Sequence, residues 1–135
     1  MKREVNLFLE DILENIELIE NSKGISLSEL KSNRLLFDAT LRRLEIIGEA
    51  VKNIPSYFRK RYSEVPWKDI AGFRDILTHA YFGVILERIW NVIKNDLPVL
   101  KKQIKEIPFN FKFSHRNRIF RGYKKTYRQR FFKSV

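Results

Sequence analysis

The segment GFRDILTHAYF, residues 72–82, carries Arg74, His79 and Tyr81 in an otherwise largely apolar stretch. Histidine can take or give a proton near neutral pH. Arginine is permanently charged, and its planar fork fits phosphate oxygens. Tyrosine can donate a hydrogen bond or accept a modification. A proton-transfer group beside a phosphate clamp is what metal-free RNA cleavage needs: the base helps a ribose 2′-hydroxyl attack the adjacent phosphorus, and the arginine stabilises charge developing on the phosphoryl oxygens. Asp75 stands four residues before His79 and falls on its side of a helix, where a carboxylate can orient the imidazole. The plainer alternative is structural. A lone histidine after an arginine on an amphipathic helix is usually decoration, and Tyr81 has the character of a half-buried core aromatic. Residues five apart on a helix lie roughly 140° apart around the axis, so Arg74 and His79 diverge on one straight helix. Either the long arginine sweeps round, or the helix ends near His79, as Gly83 allows.

The rest of the composition narrows the chemistry. The 135 residues favour one domain, and 44% hydrophobic content is enough for a core at this size. The chain has no cysteine, which removes disulfides and thiolate metal sites, and its two histidines are far apart in sequence, which argues against a histidine-based metal site. No cofactor is called for by any motif. No apolar run approaches the ~20 residues of a membrane span. The N-terminal MKREVNLFLEDILE is charged and amphipathic where a signal peptide would be continuously apolar, so a cytoplasmic protein is expected.

Positioning the candidate residues falls to helices, because every strong periodicity in the chain is helical. Val5, Phe8, Leu9, Ile12, Ile16 and Ile19 mark a helix over 2–21, stopped at Ser22-Lys23-Gly24. SLSELKSN reads as a short helix or turn with a serine cap. A long helix follows from about Asn33 to Asn53, ended by Pro55. Pro66-Trp67 opens another, to about Tyr81, and a last one runs from about Val84 to Ile107. Pro98 either kinks that helix or lies in the first turn of a fresh start capped by Asp96. Short connections between such helices predict an all-α protein, an antiparallel bundle of four to five helices.

Charge divides the chain. Residues 1–107 hold 18 Lys and Arg against all 16 acids, whereas residues 108–135 hold nine and no acid, out of a net +11. The expected organisation is a nearly neutral helical body, 1–107, and a basic, aromatic-rich extension, 108–135. Three uses of the extension stay open: an arm with cations on phosphates and aromatics on bases, a segment that packs on the bundle or a partner, or a late addition to a domain already complete near Ile107. Within it, FNFKF alternates as a strand would.

The wider pattern resembles a known family. RLEIIGEAVKNIP (43–55), VPWKDIAGFRDILTHAYFGV (65–84) and IWNVIKNDLPVLKKQI (89–104) are similar, in order and spacing, to the HepT branch of the HEPN-domain proteins. The family motif R-x-x-x-x-H-x-Y corresponds to Arg74, His79 and Tyr81. The resemblance implies a HEPN-like helical bundle that forms a homodimer, with the motif helices near the interface. It implies a ribonuclease toxin paired with an MNT-type minimal nucleotidyltransferase as antitoxin, which transfers AMP from ATP to Tyr81. AMP there would exclude RNA by bulk and like charge. Arg74 and His79 would be catalytic. The alternative within the same resemblance is a non-catalytic accessory, substrate-binding subunit of the nucleotidyltransferase. A two-fold dimer would also bring two Arg and two His into one cleft, relieving the angular problem. Asp38, Arg42, Glu45 and Gly48 match the family's second helix. The three charged residues can form one ladder, either a structural row or a lining of the cleft that supports Arg74, and Gly48 permits close helix packing. Arg43 departs from the small polar residue expected there, adding charge to the cleft or facing solvent. The extension has no counterpart in the family core.

Overall fold

Helix α1, Lys2–Glu20, follows directly from its apolar spacing. It turns Val5, Leu9, Ile12, Leu13, Ile16 and Ile19 inward, and all six are buried, worth about 1.5–3 kcal/mol for each large aliphatic side chain. The computed structural model describes residues 2–22, 24–79 and 82–109, with the backbone alone at 2, 3 and 82–84. Gly24 takes a left-handed φ of 74°, the one described position with positive φ, and so releases the chain from α1.

Local signals set the next boundaries. Ser26 caps α2, Leu27–Ser32, by accepting the Glu29 N–H at 3.1 Å. The side chain of Asn33 likewise accepts the Leu36 N–H at 3.1 Å and opens α3, Arg34–Asn53. Ile54 turns extended ahead of Pro55, which ends α3 as expected. After the short α4, Ser56–Arg61, the helix α5 covers Trp67–His79. The Trp67 indole N–H donates to the Tyr62 carbonyl at 2.9 Å, anchoring the entry to α5.

The last helical run holds α6, Phe82–Asn91, a π-helical turn, Val92–Asp96, and α7, Leu97–Glu106. Pro98 lies in the first turn of α7, as one of the two expectations had it, but the helical run continues through it without a side-chain cap. Its ring would collide with the carbonyl four residues back, and the backbone answers by widening: the Leu97 N–H bonds to Val92 O, five residues earlier. Asp96 stays helical and makes no side-chain cap bond.

Helix α3 is central, packed on α1 at one side and α5 at the other, with α2 against α6. Helix α7 runs antiparallel to α1: Lys101 pairs with Glu20 at 2.8 Å, and Lys105, one turn on, with Glu17 at 3.8 Å. No strand occurs among the described residues. The all-α bundle expected from the sequence is therefore present, with α1, α3, α5 and the α6–α7 run as its long members and α2 and α4 as short links. Among the described residues no helix is long and apolar enough to cross a membrane. Residues 110–135, and with them the alternation of FNFKF beyond Phe109, lie outside the described residues.

Candidate functional site

Helices α3 and α5 pack tightly together at Gly48. A Cβ added there would overlap the Cβ of Arg74 and lie 2.8 Å from its Cγ and 3.4 Å from its Cα. The stem of Arg74 therefore lies directly on the α3 backbone. Its guanidinium is gripped on both sides. Nη2 meets Glu49 Oε2 at 3.0 Å and Nη1 meets Asp75 Oδ1 at 3.4 Å, with 32% of the side chain still exposed. Asp75 is tied to α3 as well, accepting Lys52 Nζ at 2.7 Å. That bond holds the Asp75 carboxyl below its ordinary 3.8, with partial desolvation opposing and the Lys52 charge and Arg74 adding to the fall.

The sign follows from the direction. A depressed carboxylate pKa means that this pairing favours the folded state above the ordinary value and loses its contribution only as pH drops through the lower, folded one. The network is thus intact at neutral pH. A carboxyl carbon NMR titration should give Asp75 a midpoint below 3.8, and Lys52→Ala should move it back up.

His79 is the last residue of α5 and is exposed. The helix stays regular through it, so the 140° offset from Arg74 persists along the axis. The offset is narrowed by the arginine itself. Arg74 reaches Asp75, which lies one helical turn before His79 on the same side. Asp75 was expected to orient His79. Among the described residues its hydrogen bonds run to Lys52 and Arg74, so it fixes the guanidinium and not the imidazole.

The expected ladder of Asp38, Arg42 and Glu45 is divided. Arg34 takes Asp38 at 3.2 Å, and Arg42 pairs with Glu45 at 3.4 Å. These residues nonetheless share one α3 face with Glu49 and Lys52, in steps of four, three, four and three. Glu49 and Lys52, the two residues that actually hold the Arg74–Asp75 pair, were missed from sequence, although they continue the same spacing. Arg43 is half-buried and points roughly 140° away from Gly48, off that face. Tyr81 lies outside the described residues.

On its outer side α5 carries exposed Gly72 and Ile76, and the helical step puts His79 on this side too. Beside it, between α5 and the α6–α7 run, is a cleft of about 650 Å³ whose lining includes Ile70, Phe73, Ile76, Leu97 and Leu100, with Arg88 among its polar groups. No described group of three or more His, Asp or Glu side chains could hold a metal ion. The arrangement offers a proton-transfer group at a helix end and, one turn away, a rigidly held guanidinium.

The family model described as Ribonuclease HepT-like matches residues 12–107. The chain is 54% identical over 101 residues to a protein of Caldanaerobacter subterraneus subsp. tengcongensis provisionally named an RNase, covering 74% of this chain and 90% of that protein. It is 44% identical over 108 residues to a probable ribonuclease HepT of Thermococcus cleftensis, covering 79% and 98%. A Methanocaldococcus jannaschii protein, named as a gamma-glutamylcyclotransferase and provisionally as an RNase, is 47% identical over 108 residues. The match takes in 79% of this chain but only about half, 49%, of that longer protein. No solved structure matches the chain significantly.

Proposed function

Because the chain belongs to the HepT-like ribonuclease family, we propose that it is a metal-independent endoribonuclease, the toxin of a HepT/MNT toxin–antitoxin pair acting in the cytoplasm. The observation that carries this reading is Arg74: a guanidinium fixed by Glu49 and Asp75 yet a third exposed, on the helix that ends in exposed His79. In the reaction His79 takes the proton of a ribose 2′-hydroxyl as its oxygen attacks the adjacent phosphorus. The bond to the 5′-oxygen breaks, leaving a 2′,3′-cyclic phosphate, and the departing oxygen receives a proton from a second, protonated imidazole or from water. Arg74 stabilises the charge on the non-bridging oxygens.

A homodimer supplies the second imidazole. Two α5 helices paired over their outer faces would bring the two exposed His79 together at one cleft, with each Arg74 held on the α3 side of its own helix. Exposed Gly72, where an added Cβ would meet nothing within 4 Å, and Ile76, 38% exposed, support that face as the contact.

Control of the site is assigned to Tyr81. The nucleotidyltransferase partner would transfer AMP from ATP to the tyrosine oxygen with release of pyrophosphate. The added phosphate would repel RNA phosphate and its bulk would block the cleft. Tyr81→Phe, incubated with the MNT-type nucleotidyltransferase, ATP and magnesium, should gain no AMP by intact mass, whereas the unchanged chain gains one increment per protomer.

The test of the function is cleavage of a mixed RNA pool in EDTA, beside His79→Ala, on protein whose intact mass shows no AMP. Cleavage lost in the variant supports the ribonuclease. No cleavage by the unmodified protein would instead favour an accessory subunit of the nucleotidyltransferase.

A further inference from the structure

The acids of the chain decide which of its cations are free to hold something else. All 16 Asp and Glu lie among the described residues. Their ion pairs run to Arg34, Arg42, Lys52, Arg74, Lys101 and Lys105. Arg59 and Lys60 on α4 and Lys68 at the start of α5 take no part in them, and Arg59 Nε has no hydrogen-bond partner among the described residues. A run of cations is ordinarily a solvated face. These three instead converge on one open cleft of about 550 Å³, together with Ser56 and Ser63, and Asp69 is the one acid that lines it.

The corner that carries them is rigid. The Phe58 ring of α4 packs on Tyr62 at 4.8 Å and on Trp67 at 6.5 Å between centroids. Trp67 is buried, and its indole is bonded to the Tyr62 carbonyl. The two helices therefore present their cations in a fixed arrangement, which lowers the ordering cost of binding an anion between them.

His79 is in register with this cleft. Lys68 and His79 stand 11 residues apart on α5, three turns and about 20° more, so they leave the helix on the same side, about 16 Å apart along its axis. Pro66, Lys68 and Asp69 also line the cleft between α5 and the α6–α7 run, so the two clefts are continuous, and Arg88 adds a cation along the way. At about 3.4 Å per stacked nucleotide, this distance spans at most about five nucleotides of one strand.

We propose that Arg59, Lys60 and Lys68, with the hydroxyls of Ser56 and Ser63, hold a backbone phosphate of the substrate RNA and so set which bond reaches His79. The chemistry at His79 rests on the ribonuclease reading; the anchor itself needs only a single-stranded RNA.

Two matched pairs of substitutions test it. Lys60→Gln/Lys68→Gln removes two exposed charges from the anchor, and Lys31→Gln/Lys102→Gln removes two exposed charges that line neither cleft. Binding of a fluorescein-labelled single-stranded RNA is followed by anisotropy in EDTA, in the full-length His79→Ala chain so that no strand is cut. The anchor pair should weaken binding about tenfold and lower the slope of log K against log salt by about 1.4, at about 0.7 per phosphate contact. The distant pair should leave affinity within about twofold. With His79 intact, the anchor pair should raise KM about tenfold and leave kcat within about twofold, as expected for a contact made equally in ground and transition states. Binding unchanged by the anchor pair, or weakened equally by both pairs, overturns the proposal whether or not the RNA is cut. Weakened binding in the anchor pair alone, with no cleavage by the unmodified chain, sinks the ribonuclease reading and leaves the anchor standing.

Discussion

Alanine at position 79 is expected to lower RNA cleavage in EDTA by about 10²–10⁴-fold, the usual contribution of a positioned general acid–base. Little else should change. His79 is exposed at the end of α5, and an exposed substitution there should shift stability by no more than about 0.5 kcal/mol. The combination is diagnostic, since a histidine that merely completed the helix would show the reverse, a stability loss with activity in proportion. Arg74→Lys is the companion measurement. It keeps the charge but loses the fork that spans Glu49 and Asp75. Activity should fall by about 10²–10³-fold, in the range seen when one transition-state donor is removed. A loss of less than tenfold in His79→Ala would place the chemistry elsewhere in the chain, and the assignment of His79 would fail.

What the sequence disclosed depends on the range of the interaction concerned. Ser26, Asn33, Gly24 and Pro55 act within a few residues of themselves, and each does what its type predicts. Pro98 was only half legible. The missing N–H is local, but whether a helix breaks, kinks or widens into a π turn depends on the packing of the neighbouring Ile93, Leu97 and Leu100, which are buried. Spacing showed which charges could meet on α3, not which would: Arg34 captured Asp38, and Arg42 was left to Glu45. Asp75 illustrates the limit. Its neighbour by helical spacing is His79, yet its strongest bond crosses to Lys52, 23 residues earlier. No periodicity announces a contact between two helices. The nearest thing to a signal was Gly48, legible as a place of close packing. Once it is set against Arg74, the residues one and four positions later, Glu49 and Lys52, must flank the same contact.

That contact sets the other large expected effect. Gly48→Ala improves intrinsic helix propensity by about 0.8–1.0 kcal/mol, so on α3 alone it would stabilise. The tertiary cost opposes it. The new methyl would overlap Arg74 Cβ and crowd Cγ and Cα, atoms next to the α5 backbone that cannot swing aside as a side-chain tip could. Either α5 moves off α3 or the backbone bends, at a cost of about 1–3 kcal/mol, more in the worst packed cases. The net loss of stability is modest, about 0–2 kcal/mol on these figures, and a fall of up to several degrees in thermal midpoint would report it. Activity should suffer more. Any shift of α5 carries the Arg74 guanidinium relative to Glu49, and a displacement of about 1 Å at a catalytic group is enough for a roughly 10²-fold loss. Gly72→Ala is the internal comparison, the same change on exposed α5 with nothing within 4 Å of the added Cβ. In the isolated protomer it should stabilise by about 0.5–1 kcal/mol; if α5 pairs with α5 over this face, the methyl instead weakens the dimer, and light scattering separates the two. Gly48→Ala with full activity would show that the close approach of α3 does not position Arg74, and the site would then have to be rebuilt around His79 alone.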